Sequence, residues 1–360
     1  MQPDQPPNTS PGARRARLGR AAGGLAAFAV GFAGACIFWL ADMPLPWMLG
    51  AMAATAIAAI IGADWAVHRQ ARDLARPVIG VLAGSAFTPA IIDQAGAWVG
   101  LMLLVLAFST ACTLGGFVVG RKFFGFDRPT AFFASTPAGL TEMSLMGDSL
   151  GADIRSLFLI HSIRVVFVVF SIPMLLRLLT DEDLGTTVSV VSNAGGANAV
   201  DWGLLLLCGV AGYLLSRRFK IPGGVMIYSM SLSAILHLTG LTAAAPPVWL
   251  VIVVQVTIGC VAGARFRDVR WSEMAGPVIF GFTWAAVVVG SAMGVAVGAS
   301  ALTGREFGSI LLAIAPGGMM EMTLVAYALG VDAALVIACQ IVRNFSTILF
   351  APMVYRLLKD

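Results

Sequence analysis

Charge is scarce in this sequence. Only 12% of its 360 residues are Asp, Glu, Lys or Arg, where a soluble domain carries about a quarter, and a soluble globule is excluded. Histidine is scarcer still: His68, His161 and His237 are the three present. They show none of the spacing of a metal site, so no metal, no cofactor and no enzymatic chemistry are expected. The five cysteines (Cys36, Cys112, Cys208, Cys260, Cys339) stand singly inside apolar stretches. That lacks the close spacing of a disulfide framework or thiolate site, and they read as small packing residues. No separate basic domain accompanies the net charge of +4. The basic residues form short clusters beside apolar segments, which fits membrane-loop anchors and argues against direct nucleic-acid binding.

What is present is apolar: hydrophobic residues make up 58% of the chain and the mean hydropathy is +0.88. Stretches such as Ala95 to Gly120 carry no charge before Arg121, and about 20 such residues cross a hydrocarbon core roughly 30 Å thick. The expected fold class is an all-α integral membrane protein. Residues 1–20 read as a disordered basic cytoplasmic tail, with Arg14, Arg15, Arg17 and Arg20 ahead of an apolar run from Ala21 to Leu40. Ala33-Gly34-Ala35 imitates a signal-peptide cleavage point, but the run continues through Ile37, Phe38, Trp39 and Leu40. A retained first helix is expected.

Six apolar segments fall before residue 180, near 21–41, 46–62, 75–92, 95–120, 131–150 and 154–179. Six more lie near 202–216, 222–241, 247–263, 276–300, 308–329 and 333–358. A shift of 179 carries Gly80, Gly84 and Phe87 onto Gly259, Gly263 and Phe266. The same shift carries Pro137, Gly139, Glu142 and Met143 onto Pro316, Gly318, Glu321 and Met322, and Arg164 onto Arg343. Leu150-Gly151 and Asp153 meet Leu329-Gly330 and Asp332, and Pro173-Met174 meets Pro352-Met353. Chance apolar similarity does not place charges and prolines this way, so residues 21–180 and 201–360 read as two transmembrane repeats joined by a linker over 181–200.

Lys and Arg beside helix ends stay in the cytoplasm. In the first repeat they follow segments two and four (Arg69, Arg72, Arg76; Arg121, Lys122, Arg128), and in the second they follow segments one and three (Arg217, Arg218, Lys220; Arg265, Arg267, Arg270). Corresponding loops therefore face opposite sides: two inverted-topology repeats of about five crossings each, with both termini cytoplasmic and the linker periplasmic. An odd number of crossings per repeat requires one segment not to span. The fifth is the candidate, because Thr136-Pro137-Ala138-Gly139 and Ala315-Pro316-Gly317-Gly318 should break their helices. The helix-break residues are thus Pro137, Gly139, Pro316, Gly317 and Gly318.

Glu142 and Glu321 follow these breaks, and a charged residue in the membrane costs about 2.5 kcal/mol or more, so such residues usually mark an ion or substrate route. A capping role is the alternative, but an acid so far past the proline falls outside a first turn that starts there. Arg164 and Arg343 lie mid-segment and call for anionic partners, the glutamates being nearest in type; fixed Glu–Arg braces and an opening site both remain open. His161 and Gln340 occupy matching places one turn before the arginines, as packing groups or as site donors. Gly80, Gly84, Gly259 and Gly263 have the small-residue spacing of close helix contacts.

The two Pro-Gly-Glu-Met stretches, with Pro46-Trp47-Met48-Leu49-Gly50, resemble the bacterial AbrB duplication membrane proteins over nearly the whole chain from about residue 25. That family has carried the labels aidB-expression regulator and ammonia monooxygenase and is similar in layout to membrane permeases. The scattered histidines do not supply an oxygenase's ligand cluster. Nothing carries over from a small soluble β-rich DNA-binding protein of similar name. The expectation is a multi-pass inner-membrane permease for an unidentified small solute, proton coupling through the glutamates being an option; the alternative is a membrane regulator of gene expression acting indirectly. Its expected partners are the bilayer and a small solute or ion, with homo-oligomerisation left open.

Overall fold

The computed structural model describes residues 11–63, 69–89, 91, 95–179, 198–267 and 274–359. Among them are fourteen α-helices and no strand. The first seven are α1 (Pro11–Leu40), α2 (Pro46–Ile61), α3 (Arg69–Ser85), α4 (Ala95–Phe124), α5 (Arg128–Ser135), α6 (Leu140–Ser149) and α7 (Ile154–Leu179). The second seven are α8 (Ala199–Arg218), α9 (Gly224–Leu238), α10 (Val248–Gly263), α11 (Ala275–Thr303), α12 (Phe307–Ile314), α13 (Met319–Leu329) and α14 (Ala333–Lys359). Shifted by 179, α5 falls on α12 residue for residue, and α4, α6 and α7 fall on α11, α13 and α14 to within one residue at each end. Helix α1 starts at Pro11, inside the stretch expected as a tail. Residues 1–10 and most of the 181–200 linker lie outside the described residues.

Among the described residues seven helices are long and apolar enough to cross a membrane: α1, α4, α7, α8, α10 with its short extension to Phe266, α11 and α14. This is fewer than the roughly ten crossings expected from oppositely oriented halves with a broken fifth segment, for a local reason in each case. Helices α2 and α9 are apolar but have only 16 and 15 residues, fewer than the roughly 20 of a full-length span, and a crossing by either draws the bilayer thinner around it. Helix α3 carries Arg69, Arg72, Asp73 and Arg76 in its first two turns.

The chain divides into two compact units. One comprises residues 1–74 and 255–268, the other 75–254 and 269–360. In the smaller, α1 and α2 meet backbone to backbone, since a Cβ on Gly34 would lie 2.5 Å from the Gly50 carbonyl oxygen. Ala35, Ala51, Val256 and Cys260 form its core with Phe28 and Trp47 alongside. Gly259 and Gly263 of α10 close onto α2, their added Cβ atoms falling 2.5 Å from the Met48 carbonyl oxygen and 2.6 Å from that of Met52. In the larger unit Gly80 and Gly84 of α3 close onto α9 in the same way, at 2.5 Å from the Met226 carbonyl oxygen and 2.6 Å from that of Met230. Close packing is therefore what these four glycines do.

The larger unit holds α4 to α7 and α11 to α14. Its core surrounds α5, where Phe132 and Phe133 are buried and the Tyr355 ring of α14 lies tilted against both, at centroid distances of 5.4 and 5.5 Å. The Leu150-Gly151-x-Asp153 motif and its mate are turn chemistry. Gly151 and Gly330 take φ of +83° and +67°, which glycine adopts without strain. The backbone N–H groups of Asp153 and Asp332 then donate to Thr130 Oγ1 (2.8 Å) and Ser309 Oγ (3.0 Å), tying each turn to the start of α5 or α12.

Candidate functional site

The fifth segment of each half is broken where proline and glycine placed the break. Helix α5 ends at Ser135 and α6 begins at Leu140, with Thr136 and Gly139 extended between them; α12 ends at Ile314 and α13 begins at Met319, with Ala315 and Gly318 extended. An extended stretch buried among helices leaves carbonyl groups in need of donors. The long helix that follows supplies them.

Arg164 of α7 donates from Nη1 to the Thr136 carbonyl at 2.9 Å and from Nη2 to that of Ala138 at 3.0 Å. Arg343 of α14 repeats the arrangement, donating to the Ala315 carbonyl at 2.8 Å and to that of Gly317 at 3.2 Å. Arg343 also donates to Gln340 Oε1. Gln340 Nε2 in turn donates to the Leu312 carbonyl at 2.9 Å, the oxygen that Pro316, lacking an N–H, cannot serve. The matching residue His161 is fully buried and sits at the Phe133 carbonyl, yet neither ring nitrogen makes a well-formed hydrogen bond.

These contacts correct the expected partners of the arginines. Arg164 and Arg343 are 5% and 1% exposed and are held by main-chain oxygens rather than by Glu142 or Glu321. The position of the glutamates is corrected too. Because Pro-x-Gly stays extended, each half-helix starts at the residue after Gly139 or Gly318, which brings Glu142 and Glu321 into the first turn. There a negative charge is favoured by the helix dipole. Each carboxylate folds back so closely over Gly139 or Gly318 that a Cβ on that glycine would overlap it.

The site joins the two halves. Helix α13 packs on α7, α6 packs on α14, and Arg164 and Arg343 are close enough for their charges to interact. Cys112 of α4 lies within electrostatic reach of both. Sequence reasoning missed Cys112, whose apolar surroundings gave no signal, and the four carbonyl acceptors, which no residue type reveals. It also missed Tyr327 of α13, whose hydroxyl donates to the Leu82 carbonyl and lies 3.1 Å from Ser85 Oγ on α3. The matching residue is Asp148, which is exposed. The two half-helices differ accordingly: residues 321–326 of α13 are all buried, whereas Glu142, Ser144 and Met146 of α6 are half-buried and Leu145 is exposed.

A Bacillus subtilis (strain 168) protein named "Uncharacterized protein YhjN" is 26% identical over 352 residues, covering 92% of this chain and 91% of that protein. An Escherichia coli (strain K12) protein named "Putative regulator AbrB" is 25% identical over 323 residues, covering 89% and 91%. No solved structure matches the chain. The family model described as transition state regulatory protein AbrB matches residues 47–359, a span that includes both breaks, both arginines and both glutamates, and the chain belongs to the AbrB family.

Proposed function

We propose that this AbrB-family protein is a secondary transporter of a small solute, built from two inverted-topology repeats in the inner membrane with both termini in the cytoplasm. The observation that carries the reading is the duplicated break: two half-helices, each preceded by an extended stretch held by a buried arginine from the next long helix, at one constant offset. Transporters built from inverted repeats place discontinuous helices of this kind at the repeat interface, where half-helix ends and freed backbone meet the substrate. The alternation of Lys and Arg among the loops supports opposite orientation of the halves. Glu142, Glu321, Arg164, Arg343, His161 and Gln340 are then the polar lining, and the glutamates are the groups able to exchange a proton.

The test is reconstitution of the full chain in proteoliposomes and measurement of flux for small carboxylates, amino acids and amines, with and without a proton gradient. Flux above protein-free vesicles supports the reading. Introduced single cysteines in the 240–247 and 217–220 loops report orientation: labelling of the first from the periplasm and of the second from the cytoplasm is expected, and the reverse would leave a different topology.

A second reading, a membrane regulator acting indirectly on gene expression, draws on the name of the Escherichia coli relative. It gains support if no solute moves while deletion of the gene alters transcript levels and a flux-dead variant restores them.

A further inference from the structure

The two arginines are better supplied with hydrogen-bond acceptors than with charge. A guanidinium offers five N–H donors, and the break carbonyls and Gln340 engage only the terminal nitrogens of Arg164 and Arg343. The Nε of each is buried without a partner. Carbonyl oxygens satisfy donors but leave the positive charge uncompensated, and an unpaired buried charge is costly. Here two such charges lie close enough to act on one another. Among the described residues neither arginine forms an ion pair with a carboxylate. Glu142 and Glu321 are placed over the N-cap glycines of their own half-helices, where the local dipole already balances them.

A cation is the poorer occupant of this place. It would have to approach two guanidiniums, and the carboxylates available to it lie in the positive field of helix N-termini, with Glu321 only 4% exposed. A small anion meets the opposite situation: two unsatisfied Nε–H donors, two half-helix N-termini and a fully buried imidazole at His161 whose ring nitrogens make no well-formed hydrogen bond, one turn from Arg164. Among anions a planar carboxylate matches the fork that Nε–H and a neighbouring terminal N–H present.

We propose that the paired breaks form a binding site for a small organic carboxylate, held by Arg164 and Arg343 through their Nε–H edges while their terminal nitrogens keep the break carbonyls in place. This names the substrate class of the transport reading and rests on it for the ligand's route in. The half-exposed α6 side gives the approach, since α13 is packed shut.

The purified full chain in detergent is melted with increasing acetate, succinate or citrate, and with phosphate, chloride and tetramethylammonium as comparators, all at constant ionic strength. A ligand that binds only the folded state raises the melting temperature in a saturable way. At least one carboxylate should do so, and Arg164→Lys and Arg343→Lys, which keep the charge but lose the fork, should each weaken that carboxylate about tenfold or more. Arg343→Gln should abolish the shift; should that variant not fold, the two Lys variants carry the comparison. No saturable shift with any of the three carboxylates overturns the site, as does a shift unchanged in both Lys variants or one given only by tetramethylammonium, phosphate or chloride. The effective carboxylate is then offered to proteoliposomes. Binding without uptake leaves the anion site standing and removes transport, whereas uptake of an amine without carboxylate binding removes the site and leaves transport standing.

Discussion

Tyr327 on α13 donates its hydroxyl to the carbonyl of Leu82 on α3, while its counterpart in the first half, Asp148 on α6, is exposed. A motif duplicated in sequence is thus clamped in one copy and free in the other. In the transport reading this is the difference between a closed and an open side. Tyr327→Phe removes one buried hydrogen bond and leaves the Leu82 carbonyl with one fewer donor, so a loss of about 1–2 kcal/mol is expected. Asp148→Asn should stay within about 0.5 kcal/mol. Thermal unfolding in detergent checks both, and equal effects would remove the distinction between the half-helices.

The glutamates do not pair with the arginines, so neutralising them strands no buried charge. Glu142→Gln and Glu321→Gln should insert and fold at near wild-type abundance, losing about 0.3–1 kcal/mol from the helix-dipole contribution. If they carry coupling, uptake or its pH dependence should fall in the same membranes. A collapse of folded protein in either variant would show that the carboxylate braces the fold after all.

Gln340 holds the Leu312 carbonyl and orients Arg343. Gln340→Leu strands both and should cost about 2–4 kcal/mol. His161→Gln places in the first half the side chain that the second half already uses, and the imidazole has no well-formed hydrogen bond to lose. It should fold as well as the parent or better, as read by melting temperature. Destabilisation by His161→Gln comparable to that of Gln340→Leu would refute the equivalence of the two positions.

Gly80 and Gly259 make the same approach to a neighbouring helix, each with a carbonyl oxygen 2.5 Å from where a Cβ would stand. Gly80→Val and Gly259→Val should both lower folded yield, since overpacking against backbone costs about 1–3 kcal/mol or more. Gly100→Ala on α4 meets nothing within 4 Å and should gain roughly 0.5 kcal/mol from helix propensity. Size-exclusion profiles of the three variants decide the matter.

Much of this protein is legible in the chain because its information is local and stated twice. Scarcity of charge and the length of the apolar runs determine a helical membrane protein. Pro137-x-Gly139 and Pro316-x-Gly318 mark the breaks through a missing N–H and a weak helix former, and the constant spacing of Glu142, Arg164 and their mates exposes the duplication. What binds what was decided by the tertiary structure. Backbone carbonyls are the same at every residue, so nothing in the sequence said that Arg164 would seek Thr136 and Ala138 rather than Glu142. The role of the glutamates turned on where the half-helices restart, three residues beyond each proline once the extended Pro-x-Gly stretch is held by an arginine. The unequal burial of α6 and α13 is furthest from the sequence, since matching motifs came to differ only through what packed against them.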